Sequence, residues 1–280
     1  MRTLSRVLYS LLLALCLNAA QARDLDPDPL KVALLPDEDA ATIIQRNQPL
    51  EDYLEAALER EVDLVVTTDY SSMIEAVRFG RVHVAYFGPL SYTLAKSRSE
   101  IEPFAARIRG GQTTYQAVLI GNIEQGIESL ADAVGQDVAF GDIASTSSHL
   151  IPKSMLRSAG LTEGEDYREN FLGAHDAVAL AVQRGNAAVG GLSKPIFNDL
   201  VARGLISLDE VRVLAESAPF PQYPWTLRMD LAPELKAAIR DAFLEMDDED
   251  VLEAFKAEGF APISDADYDV VRQLQEELGL

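Results

Sequence analysis

The sequence predicts an α/β fold built as two lobes, the second inserted into the first. Strand-like apolar runs alternate with helical ones from Leu30 onward, the signature of a sheet covered by helices. That rhythm breaks twice, near Gly110 and near Pro219. After the second break the chain returns to amphipathic helix, so its two ends belong together and its middle forms a separate unit.

Taken in order, Leu30 to Leu35 reads as a buried strand, followed by helical material through Leu50 to Leu58. Val62 to Thr67 is a second strand and Ser72 to Phe79 a helix. Val82 to Phe87 is a third strand, with a helix from Leu90 to Lys96 after Gly88-Pro89. The pattern changes over Arg109 to Thr114, and a long strand, Tyr115 to Ile120, opens the second series. That series holds a strand at Val138 to Phe140, helices after Ser147 and from Ala177 to Gln183, a strand at Ala187 to Val189, and a helix from Ile196 to Ala202. Val211 to Ala215 is another strand, and Pro219 to Pro224 breaks regular structure. The C-terminal part is mostly helix, with Leu235, Ile239, Phe243 and Leu244 on one face. Such alternation predicts a largely parallel sheet in each lobe. A cleft between two lobes is where a small ligand sits.

The N-terminus reads as an export leader. Met1 to Arg6 is basic, Val7 to Leu17 is apolar, and Ala20-Gln21-Ala22 supplies the small residues of a cleavage site. Cleavage after Ala22 would leave about 258 residues, one large or two medium domains. The single cysteine, Cys16, lies in the leader after Leu15, which is too large for a lipoprotein signal. The exported remainder would then have no thiol chemistry. No later segment has the roughly 20 apolar residues of a membrane span. Two of the 24 basic residues fall in the leader, so its loss takes the net charge from −21 to −23. Nucleic acid and anionic membranes are poor partners for such a surface. An anionic ligand would have to be held by local donors.

Three strand-to-helix junctions offer those donors: Thr67 to Ser72, Tyr86 to Tyr92 and Ser145 to Ser148. In open α/β sheets ligands bind at the carboxyl ends of strands, where all three lie. Ordinary N-capping accounts for any one of them. Three consecutive hydroxyls, Ser145, Thr146 and Ser147, exceed what one cap needs; at a helix mouth they form a seat for a small oxyanion. His175 precedes a helix with an apolar face, where its ring can donate to an anion that would favour its charged form. His83 reads as structural and His149 as facing away. No metal-ligand spacing and no phosphate-loop glycine pattern is present, and no cofactor is implied. A hydrolase reading, with Ser145 or Ser147 as nucleophile, His175 as base and Asp176 as orienter, is weak, because neighbouring His and Asp on a helix do not face each other. The chain is not expected to be an enzyme.

Thr68-Asp69-Tyr70, Val84 to Tyr92, Ala144 to Ser147 and Gly173-Ala174-His175-Asp176 together resemble the phosphate/phosphite/phosphonate substrate-binding proteins of bacterial ABC importers, the PhnD-like group. The resemblance covers essentially everything after the leader. It implies a two-lobed periplasmic-binding-protein fold of type II. The lobes would be residues 23–114 plus 215–280 and residues 115–214, after a leader of residues 1–22. Carried over by position, the residues that bind the phosphonyl group fall on Tyr70, Tyr115, Ser145, Thr146, Ser147 and His175. The resemblance further implies a periplasmic monomer that delivers its ligand to ABC permease subunits. Members that take aminoalkyl phosphonates carry acidic groups at positions falling near Pro195 and Tyr223 here, neither of which can hold an ammonium. Phosphite, or a short alkyl phosphonate such as methylphosphonate, is therefore the expected ligand. Phosphate, another small organic anion, or a sensory role for a membrane kinase are the alternatives.

Overall fold

Two sheets of unequal size organise the computed structural model, which describes residues 25–280. The expected leader and Cys16 lie outside the described residues. The first sheet has six strands: β1 (Leu30–Leu34), β2 (Val62–Val66), β3 (Val84–Tyr86), β4 (Ile101–Ile108), β12 (Pro224–Arg228) and β13 (Gly259–Ala261). The second has five: β6 (Ala117–Asn122), β7 (Asp137–Phe140), β8 (Arg168–Phe171), β9 (Val189–Ser193) and β10 (Val211–Glu216). Between them β5 (Thr114–Tyr115) and β11 (Phe220–Pro221) pair as a two-stranded ribbon, with Phe220 opposite Tyr115.

Neither sheet is largely parallel, contrary to expectation. β1 lies between β2 and β3 and runs parallel to both, but β12 is antiparallel to β3 and β4, and β13 to β4. In the second sheet β7 is parallel to β8 and β9, while β6 runs against both β9 and β10. The cause is connectivity. β4 carries the chain out of the first sheet in the sense of β1 to β3, and β12 brings it back against that sense, between β3 and β4. The Pro219 to Pro224 segment, read as a break, contains β11 and opens β12. Proline is tolerated at the first residue of a strand, and the Pro224 carbonyl accepts from the Phe87 amide at 3.1 Å.

The helices follow from their apolar stripes and caps. In α1 (Ala40–Arg46) the Asp39 carboxylate accepts from the Thr42 amide at 2.9 Å. α2 (Gln48–Leu58) buries Leu50, Leu54 and Leu58, one residue per turn on one face. α3 (Tyr70–Arg78) is capped by Asp69, and α4 (Pro89–Lys96) starts on a proline. α5 (Ile151–Ser158), α6 (His175–Gln183) and α7 (Lys194–Ala202) cover the second sheet. α8 (Pro233–Leu244) packs Leu235, Ile239 and Phe243 inward; Leu244, expected beside them, is 36% exposed, one helical step round the axis. α9 (Glu249–Phe255) and α10 (Asp269–Leu278) complete the chain. Val271 of α10 packs with Leu90 and Leu150, so the last helix touches elements that carry both sheets. No described helix is long and apolar enough to cross a membrane.

The larger core is aromatic at its centre. Trp225 stacks within 4.6 Å of Phe243 and 4.7 Å of Tyr86, and Phe255 and Phe260 close around them. That rigid packing stands directly behind the cleft and fixes the direction of the Tyr86 and Tyr223 rings.

Candidate functional site

The three predicted junctions do meet, but largely by bonding one another. The Tyr70 amide at the mouth of α3 donates to Asp142 Oδ2 at 3.2 Å, and the Leu90 amide at the mouth of α4 donates to Thr146 Oγ1 at 2.7 Å. Two of the helix N-termini expected to face a ligand thus face the second sheet's loop. Their bonds draw the two sheets together, as does the His175 amide, which donates to the Asp37 carbonyl at 2.9 Å.

The donors left over are concentrated at the hydroxyl run. Helix does not begin directly after Ser147. Residues Thr146–Leu150 form a widened turn, closed by the Leu150 amide on the Ser145 carbonyl five residues back at 3.0 Å. Within it the hydroxyls divide their work. Ser145 Oγ caps the Ser148 amide at 3.1 Å, Thr146 Oγ1 holds Leu90, and Ser148 Oγ accepts from the Gly141 amide and donates to the Gly191 carbonyl. Ser147 Oγ is buried and finds no partner among the described residues. The Thr146 and Ser147 amides, in the first turn, have no acceptor there either.

Two more buried side-chain donors have no partner among the described residues. Tyr115 Oη is buried without a hydrogen bond, beside the Ser147 and Thr146 hydroxyls, and burial raises its pKa. His175 Nε2 is buried and unpaired, while its Nδ1 accepts from the Ser193 amide at 3.0 Å. That bond fixes the tautomer: the neutral ring must carry its hydrogen on Nε2, so the orphaned atom is a donor. Burial lowers the His175 pKa to about 3. Without an anion beside it the ring is neutral, since burial disfavours its charge and a proton on Nδ1 would face the Ser193 N–H. Tyr70 completes the set. Its phenol rests against the Ser145 hydroxyl, and burial raises its pKa. Five of the six predicted residues lie at or beside this turn, and His175 is held to Ser193 and Asp37.

The hydrolase arrangement fails on the same geometry. Nδ1 of His175, where an orienting acid would bond, is held by Ser193, and Asp176 Oδ1 accepts from the Ala177 amide at 2.9 Å.

Sequence reasoning missed part of the surroundings. A cavity of about 80 Å³ is lined by Asp37, Tyr86, Arg107, Ser193, Tyr223 and Phe255 among others. The Tyr223 ring is 5.2 Å from Tyr115 and 5.5 Å from Tyr86, which joins this cavity to the donor cluster. Burial, helped by Glu38, raises the Asp37 pKa to about 7. Tyr86 stood inside a motif that the sequence singled out. Asp37 and Arg107 gave no signal, sitting respectively in an acidic turn and in a strand that was not predicted.

The other histidines are structural. His83 Nδ1 accepts from the Lys31 amide at 2.9 Å. His149 packs against Phe140 and Phe171, its Nδ1 bonded to the Ile143 carbonyl at 2.7 Å, and burial lowers its pKa to about 4. Between pH 6.5 and about 4 the unfolded chain takes up a proton at His149 that the native state refuses. Stability from this site is present above pH 6.5 and lost as pH falls; the raised carboxyls Asp37, Asp142 and Glu169 act in the opposite sense. His149→Asn, which keeps a donor for Ile143, should therefore be more favourable at pH 5 than at pH 7 by about 2 kcal/mol relative to wild type. Urea unfolding at the two pH values measures this, and equal differences would assign the His149 proton elsewhere.

Comparison with known proteins gives the family and the fold. Residues 32–268 match the family described as ABC transporter, phosphonate, periplasmic substrate-binding protein. The phosphate-import protein PhnD of Mycolicibacterium smegmatis is 26% identical over 90% of this chain and 87% of its own. The phosphonates-binding periplasmic protein of Escherichia coli is 28% identical over 79% of this chain and 68% of its own. Among solved structures, PhnD1 of Prochlorococcus marinus in complex with methylphosphonate superposes with a TM-score of 0.84 at 21% identity, covering 91% of this chain and 99% of that one. The chain belongs to the periplasmic phosphonate-binding family of ABC-transporter substrate-binding proteins.

Proposed function

We propose that this protein captures a small reduced-phosphorus oxyanion, phosphite or methylphosphonate, in the periplasm and, acting as a monomer, hands it to an ABC permease. The observation that carries the reading is a group of buried donors without partners among the described residues, with Tyr115 Oη, Ser147 Oγ and His175 Nε2 among them. Burying such groups unpaired is costly, about 1–3 kcal/mol each. An oxyanion satisfies all three at once, together with the orphaned amides of Thr146 and Ser147. Tyr70 and Tyr115 come from outside the five-stranded sheet, and the serines and His175 from its loops and helices. The ligand therefore bonds all of them only when the two sheets are close, which couples capture to closure. The hinge lies in the paired crossovers, residues 109–116 and 217–223.

Selectivity follows from the wall beside the donors. Tyr223 sets its ring beside Tyr115, so a P–H or P–CH3 group can rest against it without losing a hydrogen bond, whereas the fourth oxygen of phosphate would lose one there; Tyr86 Oη, buried without a partner among the described residues, is a further donor to the oxyanion. The positions that the family resemblance gives to ammonium-binding acids fall near Pro195 and Tyr223, neither of them acidic, which argues against 2-aminoethylphosphonate.

Isothermal titration calorimetry of the refolded, ligand-stripped chain with phosphite, methylphosphonate, 2-aminoethylphosphonate and phosphate tests this. Tight phosphite or methylphosphonate binding, weak phosphate binding and no 2-aminoethylphosphonate signal are expected. Tyr115→Phe should weaken the tight ligand about tenfold by removing one donor. Tight 2-aminoethylphosphonate binding would overturn the role given to Tyr223, tight phosphate binding the role of the wall, and silence across the panel the ligand class.

A further inference from the structure

We infer that Asp37 faces the bound oxyanion and shares a single proton with it, so that the site takes its ligand as a singly protonated pair. This deepens the oxyanion reading of the cleft and rests on it. Asp37 follows β1 at the carboxyl end of the sheet, and its own carbonyl holds the His175 amide at 2.9 Å. The residue is therefore pinned beside one of the proposed ligand donors. Its side chain lines the cavity with Tyr86, Tyr223 and Ser193, and its charge acts on the Tyr70, Tyr86 and Tyr223 phenols.

Among the described residues the Asp37 carboxyl has no ion pair within 4 Å, and its own amide is the donor nearest to hand. Of the two cations that reach it electrostatically, Arg46 pairs with Glu38 at 2.7 Å, while Arg107, in the same cavity, donates through Nη1 to the Phe255 carbonyl at 3.0 Å and keeps its Nε without a partner among the described residues. The charged and titratable groups around it are Glu38, Arg46, Arg107, the three tyrosines and the neutral His175 ring. The tyrosines, with pKa values raised by burial, stay protonated, so only Asp37 and the ligand titrate near neutrality. A carboxylate and a phosphorus dianion cannot both stay fully ionised side by side in a buried cleft. One proton between them turns that repulsion into a charge-assisted hydrogen bond, and it belongs to the pair rather than to either member. Burial has already moved Asp37 to about 7, into the range where such a proton is easily held.

The consequence is proton-linked binding. At pH 8 phosphite and Asp37 both enter largely deprotonated, so closure must draw one proton from solvent, and affinity should fall by up to tenfold per pH unit above neutrality. Asp37→Asn has nearly the same volume, cannot hold the proton, and offers an N–H to the dianion instead. Calorimetry with phosphite at pH 8, in buffers of differing ionisation enthalpy, counts the protons. We expect uptake near one for wild type and near zero for Asp37→Asn, with the affinity of the variant flat from pH 7 to 8.5. Melting curves of the two proteins, matched within a few degrees, show that both are folded. Phosphite binding with no uptake in wild type, or the same uptake in the variant, overturns the assignment of Asp37 alone. No binding of phosphite or methylphosphonate to either protein removes the oxyanion seat, and this inference with it.

Discussion

His175→Ala should weaken phosphite or methylphosphonate binding by about two orders of magnitude while leaving the protein folded. The substitution removes one buried donor to a charged ligand, worth about 1.5–3 kcal/mol. It also removes the acceptor of the Ser193 amide, so the wall of the cavity loses its anchor at the point where β9 ends. His175→Gln separates the two effects. Its side-chain amide can return an N–H toward the ligand without restoring the Ser193 bond, so it should recover part of the affinity. Because burial holds the ring neutral down to about pH 3, the contribution of His175 to binding should not change between pH 5 and pH 8. Any pH dependence in that range belongs to Asp37 and the ligand. Titration of wild type and both variants at pH 6 and 8, with melting curves alongside, decides the matter; equal affinity of wild type and His175→Ala would remove the ring from the site.

The sequence revealed the parts of this site that break a pattern. Ser145-Thr146-Ser147 carried more hydroxyls than a cap uses, and His175 stood at the start of an apolar helix, so both drew notice without coordinates. What lay hidden was the division of labour. Whether a hydroxyl caps, bridges or stays free depends on the five-residue closure of the Thr146–Leu150 turn, and a sequence carries no mark for that turn. Asp37 was hidden for a different reason. Asp37, Glu38 and Asp39 form one acidic turn, in which Asp39 caps α1, Glu38 reaches the cavity but pairs with Arg46, and Asp37 lines the cavity without an ion pair among the described residues. Three adjacent carboxylates of similar propensity cannot be ranked without the backbone that aims them.

The same holds for the fold. Strands buried on both faces, such as β1 and β7, were legible as apolar runs. β8 was not, because Arg168-Glu169-Asn170-Phe171 is a polar edge strand paired only to β7. β4 was disguised by Pro103 and by the polar residues Glu102 and Arg107. β12 was disguised by Pro224 at its start, although every one of its residues is buried. Missing β12 and β13 meant missing the strands that reverse the first sheet's sense, which is why a largely parallel sheet was expected there.

Gly191→Ala should cost about 3 kcal/mol of stability and carry much of the ligand affinity away with it. Gly191 lies in β9, between β6 and β7, and a Cβ placed there would stand 2.5 Å from both Cβ and Cγ of Pro152. Neither neighbour can yield easily. The strand is fixed by its ladder to β6, and the proline ring has no rotamer to change and sits in the first turn of α5. Relief requires α5 to move away from the sheet. The Thr146–Leu150 turn moves with it, since it runs directly into α5 and is tied to Gly191 by the Ser148 hydroxyl. A methyl group on the far side of a strand would thus displace Ser147 and Thr146 from the donor cluster. Pro152→Gly removes both colliding carbons, so a double-mutant cycle reads the clash directly. Gly191→Ala should be markedly less damaging in the Pro152→Gly background, with a coupling of about 1 kcal/mol or more in chemical denaturation. Strict additivity would mean that the strand, and not the helix, absorbs the methyl; binding should then survive the single substitution.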